Sequence, residues 1–185
     1  MEKWDVLDAS GKPTGRRVNR GSRAILRAGE YHSVVHIWIT DSRGRLLLQR
    51  RSEKKKLMPG EWAATGGAAV AGETPFAAAR RELFEELSIK SNEETLKKIA
   101  TIRRRNSILT VWHIKADVNE QTLKLQKSEV AEVKWVTREE FEKMIADGGY
   151  HNYGKDYFQI VLSAIYGKGE AINEHISRGT EVPRV

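Results

Sequence analysis

The order of apolar patterns along the chain predicts an α/β fold, with helices covering both faces of a mixed sheet. The segment 33–40 is rich in β-branched and aromatic residues, as expected of a buried strand. In the segment 75–87, apolar residues that include Phe76, Ala79 and Leu83 recur at helical spacing and form one stripe. Further strand-like segments alternate with this helix and two later ones, which favours an α/β domain.

The other elements follow from the same patterns. The turn-rich segment 9–14 between two extended segments predicts an N-terminal hairpin. For the helix 75–87, Thr74 is a good N-cap and Pro75 suits the first helical position. Further strands are predicted at 45–50, 62–65, 99–105, 107–116 and 130–136, and further helices at 138–146 and 157–166.

Length and composition set the organisation of the chain. The 185 residues, 39% of them hydrophobic, suit one ordinary domain with a buried core. Residues 1–166 are predicted to form this single domain, and the polar segment 167–185 to be a flexible tail. No apolar run approaches the roughly 18 residues of a membrane helix, and the N-terminus lacks an apolar signal segment. The sequence therefore predicts a cytoplasmic protein that does not bind membranes.

Cysteine content and charge exclude several classes of function. The chain has no cysteine, which excludes disulfides, thiolate metal sites and cysteine nucleophiles. The formal charge of +7 favours anionic partners such as phosphates and nucleotides. Basic residues cluster at 43–56 and at 103–105, where a solvated surface is the alternative interpretation. These clusters lack a recognisable nucleic-acid-binding signature, so we expect no nucleic-acid partner.

Three glutamates in the helix 75–87 carry the strongest chemical signal. Glu82, Glu85 and Glu86 stand at positions i, i+3 and i+4, so their carboxylates share one side of the helix. Three like charges within one turn repel each other, and a divalent cation would offset that repulsion. Oxygen ligands of this kind suit Mg²⁺ or Mn²⁺, which also prefer phosphate oxygens. The pattern therefore indicates metal-dependent chemistry on a phosphorylated substrate.

The spacing of these residues and of the loop before them resembles the Nudix box. Gly67 is followed after five residues by Glu73, and Glu73 after seven residues by the segment 81–89. That segment reads Arg-Glu-Leu-Phe-Glu-Glu-Leu-Ser-Ile. Ser88 stands where the family usually has glycine, and should cost about 1 kcal/mol if the backbone is left-handed there. The resemblance implies a Nudix-type α/β/α sandwich and Mg²⁺-dependent hydrolysis of a diphosphate bond in a small phosphorylated substrate.

The same resemblance assigns roles to the matching positions. Glu82, Glu85 and Glu86 would bind the catalytic Mg²⁺, with the Gly67 carbonyl as a further ligand. Glu73 and Arg81 would orient these carboxylates. A later acidic residue often serves as base or ligand in the family, for which Glu129 is the first candidate and Glu132 the second. Family members are often homodimers.

Two alternatives remain at this point. The segments 5–15, 31–38 and 55–62 resemble the branch that contains isopentenyl-diphosphate isomerase. That isomerase, however, needs a catalytic cysteine and a metal site of several histidines, for which only His32 has a counterpart here. The second alternative is a Nudix-fold module that senses a nucleotide without cleaving it, although such modules usually lack the box glutamates.

Aromatic and histidine residues leave the substrate open. We expect about two of five aromatic residues to line a pocket and the rest to lie in the core. The five are Trp38, Trp62, Trp112, Tyr150 and Tyr153. His32 and His36 share one face of their strand, where a role in the core is favoured over metal binding. Nucleoside di- or triphosphates, nucleotide sugars and ADP-ribose all remain compatible with the sequence.

Overall fold

The computed structural model of the protein describes residues 2–20 and 26–167. Strands β1 (Lys3–Leu7) and β2 (Pro13–Asn19) pair antiparallel and form the predicted N-terminal hairpin. The predicted flexible tail lies outside the described residues from 168 onward. Within the described ranges, no helix is long and apolar enough to cross a membrane.

A seven-stranded mixed sheet forms the centre of the fold. Its strands are β3 (His32–Thr40), β4 (Leu46–Arg51), β5 (Trp62–Ala63), β6 (Thr65–Ala68), β7 (Leu96–Arg103), β8 (Ser107–Lys115) and β9 (Val130–Val136). The spatial order is β5-β4-β3-β8-β7, with β6 paired to β3 and β9 paired to β4. Strands β3 and β8 run parallel, whereas β6 and β9 are antiparallel to their partners. The predicted mixed sheet is therefore confirmed.

Helices cover both faces of this sheet. Helix α1 (Pro75–Leu87) packs one face, where Leu83 and Leu87 join the inward residues of β3 in one apolar core. Helices α2 (Arg138–Ala146) and α3 (Lys155–Tyr166) pack the other face around Trp38. The alternation of side chains along β3 separates the two cores, because successive residues point to opposite faces. This arrangement confirms the predicted α/β/α sandwich.

The largest difference from the prediction lies at 62–65. Instead of one strand, the chain forms β5 beside β4 and then β6 beside β3. Strand β6 includes Gly66 and Gly67, which have low strand propensity, so only its pairing with β3 keeps it extended. Strand β7 likewise begins at Leu96 rather than at residue 99, across a bulge and exposed lysines that break its alternation.

Close contacts on both sides hold the loop between β6 and α1. The Ala71 amide donates to the Lys3 carbonyl at 2.8 Å, which ties the loop to the N-terminal hairpin. At the other end, the Thr74 hydroxyl accepts from the Ala77 amide at 3.1 Å and caps α1 as predicted. The start of α1 is therefore placed firmly beside β6 and β3.

Gly66 is the position where this arrangement least tolerates a side chain. Its φ is +142°, and an added Cβ would lie 2.0 Å from the Val35 carbonyl oxygen. We expect Gly66→Ala to lower the free energy of unfolding by about 3 kcal/mol or more, measured by urea denaturation. Gly148→Ala is the control, because its φ of +71° costs about 1 kcal/mol but nothing lies within 4 Å of the new Cβ. Equal losses in both variants would contradict the role of the β3–β6 contact.

Candidate active site

Glu86 is a buried carboxylate at the junction of α1, β4 and β6. Only 2% of the residue is exposed. Its Oε2 accepts from the Gln49 side-chain amide at 3.1 Å and from the Gly66 backbone amide at 3.2 Å. The Thr65 hydroxyl donates to Gln49 Oε1 at 3.0 Å, which orients the amide nitrogen of Gln49 toward Glu86. Sequence reasoning missed Gln49, although an uncharged amide inside a predicted buried strand, directly after three leucines, was a usable signal.

Burial makes Glu86 a weak acid. Desolvation raises its pKa to about 8, and the charge of Glu82 adds to the effect. The hydrogen bonds from Gln49 and Gly66 act in the opposite direction but are too weak to cancel it. No cationic side chain pairs with Glu86 in the described ranges. The site would therefore gain from a cation that the protein itself does not supply.

Arg81 supplies a cation to the other glutamates. Its guanidinium forms a bidentate pair with Glu73, at 2.9 and 3.0 Å. A further nitrogen donates to Glu82 at 2.9 Å and to Glu85 at 3.1 Å. Glu73 in turn accepts from the Val70 amide at 3.0 Å, so the pair also holds the loop. These contacts support the orienting role expected of Arg81 and Glu73.

Gly67 lies directly against the Glu82 carboxylate. A Cβ at this position would approach Glu82 Oε1 to 2.5 Å, so the missing side chain is what leaves room for the carboxylate. Burial raises the pKa of Glu82, and Arg81 opposes that rise. A buried and a partly buried carboxylate beside a backbone without a side chain form a donor set that fits a hard divalent cation. Among residues 2–20 and 26–167, no three His, Asp or Glu side chains already converge in metal-binding geometry.

Glu129 and Glu132, the two further candidates, lie in different surroundings. Glu129 forms a short ion pair with Lys55, and its charge contributes to the raised pKa of Glu86. Glu132 lies opposite Arg50 on β4 and pairs with that side chain at 3.5 Å. Since Gln49 points toward Glu86, its neighbour Arg50 and the paired Glu132 point to the other face. The geometry thus favours Glu129 over Glu132.

Ser88 ends α1 in the left-handed conformation, with φ 58° and ψ 24°. The residue therefore adopts the backbone for which the family usually has glycine. Its amide donates to the Phe84 carbonyl at 2.8 Å, and its hydroxyl donates to the Lys124 carbonyl at 2.9 Å. The hydroxyl contact offsets part of the backbone cost.

The five aromatic residues differ in burial, and a pocket role for two of them stays a prediction. Trp38, Trp112 and Tyr150 belong to the buried cores, whereas Trp62 and Tyr153 are half-buried. His32 stacks on Trp4 with ring centroids 4.1 Å apart, and its Nδ1 lies 2.9 Å from the Asn106 carbonyl. Both contacts give His32 a packing role.

His36 also has a packing role, through a hydrogen-bonded chain to α3. The Trp38 indole donates to the Tyr157 hydroxyl at 2.9 Å, and that oxygen lies 2.8 Å from His36 Nδ1. Because the Tyr157 oxygen accepts from Trp38, its single proton is free to be donated to His36. Burial holds the pKa of His36 well below its ordinary value, so the ring is neutral.

The raised pKa of Glu86 predicts that the metal-free protein loses stability as pH rises. Between the ordinary value of 4.5 and about 8, the unfolded chain releases this proton while the folded chain retains it. We expect the free energy of unfolding to fall by up to about 5 kcal/mol over this interval. Thermal denaturation of the protein in EDTA at several pH values measures this loss. The Glu86→Gln variant should lack this component. Parallel pH profiles for the two proteins would contradict it.

The left-handed Ser88 predicts an order of stability for two variants. Ser88→Ala keeps the backbone cost and loses the contact with Lys124, so we expect a loss of about 1 kcal/mol. Ser88→Gly removes the backbone cost as well as the hydroxyl, and should lie within about 0.5 kcal/mol of the parent. Urea denaturation measures both values, and an alanine variant as stable as the glycine variant would refute the assignment.

Comparison with known proteins agrees with this geometry. The family model of the NUDIX domain matches residues 30–153. An uncharacterised Nudix hydrolase of Listeria monocytogenes is 36% identical over 154 residues, which cover 83% of this chain and 90% of the relative. An isopentenyl-diphosphate Delta-isomerase of Streptomyces coelicolor is 45% identical over 62 residues, covering 33% of this chain and 32% of that enzyme.

The fold has a close counterpart among solved structures. The crystal structure of a Deinococcus radiodurans protein superposes with a TM-score of 0.71 at 24% sequence identity, covering 86% of this chain and 98% of that one. At this identity the superposition supports the fold. The domain match and the full-length relative support the family, and the box residues around Glu86 occupy one site on α1. The chain therefore belongs to the Nudix hydrolase family.

Proposed function

We propose that the protein is a Mg²⁺-dependent hydrolase that cleaves a diphosphate bond in a nucleotide or a nucleoside diphosphate-linked substrate. The observation that carries this proposal is the buried Glu86 carboxylate, which has a raised pKa, Glu82 beside it and no cationic partner among the described residues. A divalent cation would offset both the burial and the repulsion between the two carboxylates. Mn²⁺ is expected to substitute for Mg²⁺.

Residues of the box would hold this metal. Glu82, Glu85 and Glu86 are the proposed carboxylate ligands, with the Gly67 carbonyl beside them. Arg81 bridges one oxygen of Glu82 and one oxygen of Glu85, and the second oxygen of each carboxylate would serve the metal. When bound, Mg²⁺ supplies charge neutralisation for the diphosphate oxygens. Gln49 and Thr65 keep Glu86 oriented throughout.

The reaction is substitution at phosphorus by water. The water oxygen forms a new bond to phosphorus, the bond to the bridging oxygen breaks, and the phosphate on the other side leaves. Glu129 is the proposed acceptor of the proton from water. Because Lys55 now holds the Glu129 carboxylate, an anionic substrate that attracts Lys55 would free this carboxylate to act as a base.

Hydrolysis assays with Glu86→Gln test the proposal. We expect Mg²⁺-dependent release of phosphate or a nucleoside monophosphate from one class in a panel of nucleoside di- and triphosphates, nucleotide sugars and ADP-ribose. Turnover in Glu86→Gln should fall about a hundredfold or more, since the variant keeps the shape but loses the charge. Glu93→Gln is the control, because Glu93 is exposed and its side chain has no hydrogen bond or ion pair with the described residues.

Other outcomes would favour the alternatives. Near-normal turnover in Glu86→Gln would refute the metal-ligand assignment. Rearrangement of isopentenyl diphosphate to dimethylallyl diphosphate would favour the isomerase, to which a third of the chain is similar. Tight nucleotide binding without cleavage would favour a sensor. We also propose that the protein forms a homodimer and acts in the cytoplasm.

A further inference from the structure

Arg51, at the end of β4, is a buried cation that has no acidic partner within residues 2–20 and 26–167. Only 9% of the residue is exposed. Its Nε donates to the Leu57 carbonyl at 3.0 Å, but in the part of the chain that the structure describes its terminal nitrogens have no hydrogen-bond or ion-pair partner. Those nitrogens are not sealed inside the protein. Because buried charges are normally paired, this guanidinium fits a role in binding an anion from outside.

Arg104, in the turn between β7 and β8, is a second cation of this kind. Its guanidinium lies over the rings of Tyr153 and Tyr157, 5.6 and 5.7 Å from their centroids. No ion pair to Arg104 occurs in residues 2–20 or 26–167. Contact with the faces of two rings restrains the position of the guanidinium, and its N–H groups have no hydrogen-bond partner among the described residues.

The two arginines converge on the same buried groups. The Arg51 amide donates to the Glu61 carbonyl at 2.9 Å, and the Glu61 carboxylate is bound to His151 at 2.7 Å. The His151 ring lies 4.7 Å from the Tyr153 ring, over which Arg104 lies. Burial raises the pKa of Tyr153 and lowers that of His36, and the charges of both arginines act to lower both values. The neighbourhood therefore keeps a positive charge that no described side chain neutralises.

Strand β6 connects this neighbourhood to Glu86. The Tyr153 hydroxyl accepts from the Ala64 amide at 3.2 Å, next to the start of β6. Two residues further, the Gly66 amide donates to Glu86 at 3.2 Å. The backbone of Gly66 also pairs with His36, whose ring points to the face covered by α3. The arginines and the box carboxylates thus flank one short segment of chain.

We propose that Arg51 and Arg104 form a subsite for a phosphate group of the substrate, separate from the box carboxylates. This inference deepens the proposed function, on which it rests, since it favours substrates that carry a phosphate group beyond those held at the carboxylates. Planar guanidinium groups bind phosphate oxygens in pairs, and the two tyrosines keep Arg104 in position for this. The Tyr153 ring, which Arg104 covers, contributes half-buried aromatic surface to the subsite.

Calorimetric titration of inorganic pyrophosphate in EDTA tests the subsite. Without metal, the box carboxylates repel this anion, so any binding reports the arginines. We expect Arg104→Gln to weaken binding about tenfold or more, and Arg104→Lys to keep part of it. Arg105→Gln is the matched control, because Arg105 lies in the same turn, is exposed and carries the same charge. Circular dichroism should show that all variants are folded.

Each outcome decides between the two proposals. Equal weakening in Arg104→Gln and Arg105→Gln would reduce the effect to general charge and overturn the subsite, as would no binding to the parent protein. Glu86→Gln should retain pyrophosphate binding in EDTA while losing hydrolysis. Binding that depends on Arg104, combined with full turnover in Glu86→Gln, would overturn the metal assignment and leave the subsite standing. For the hydrolysed substrate, Arg104→Gln should raise KM and leave kcat within about threefold.

Discussion

The burial of one carboxylate governs how the rest of the site is built. Glu86 lies on α1, yet its hydrogen bonds come from β4 and from the backbone of β6. The helix, the loop before it and two strands must therefore meet in one relative position. Gln49 holds Glu86 by a hydrogen bond, and Thr65 in turn orients Gln49. Gly66 must lack a side chain so that β6 can approach β3. An ionised group placed in such surroundings is destabilising by itself, which is typical of residues retained for function.

Local signals made much of the fold predictable. The bounds of α1 and α2 agree with the prediction because each helix begins at a threonine cap followed by a regular apolar stripe. The predicted range of strand β9 also agrees with the observed one, since valine and tryptophan recur along it on either side of Glu132 and Lys134. Strand β6 was not recognisable, because two glycines carry no pattern and only tertiary pairing with β3 makes them extended.

In the candidate site too, local spacing predicted some residues, whereas others depend on tertiary contacts. Spacing within one helix was enough to place Glu82, Glu85 and Glu86 on one side, and the loop spacing added Gly67 and Glu73. The pairing of Lys55 with Glu129 joins residues 74 positions apart, which no local pattern reveals. Arg104 looked like one of three equivalent basic residues at 103–105. Its position over two tyrosines depends on where α3 packs, and that is a property of the folded chain.

The single backbone of strand β6 lies between two groups of opposite charge. The box carboxylates lie on the side of α1 and Arg104 lies over two tyrosines on the side of α3, with Gly66 contributing no side chain to either. Bond breaking and molecular discrimination would then depend on different sets of residues. Variation around Arg51, Arg104 and Tyr153 could redirect the enzyme to a new metabolite without disturbing the acidic machinery. With this separation, relatives of this chain would differ in the substrate that they bind and keep the same hydrolytic reaction.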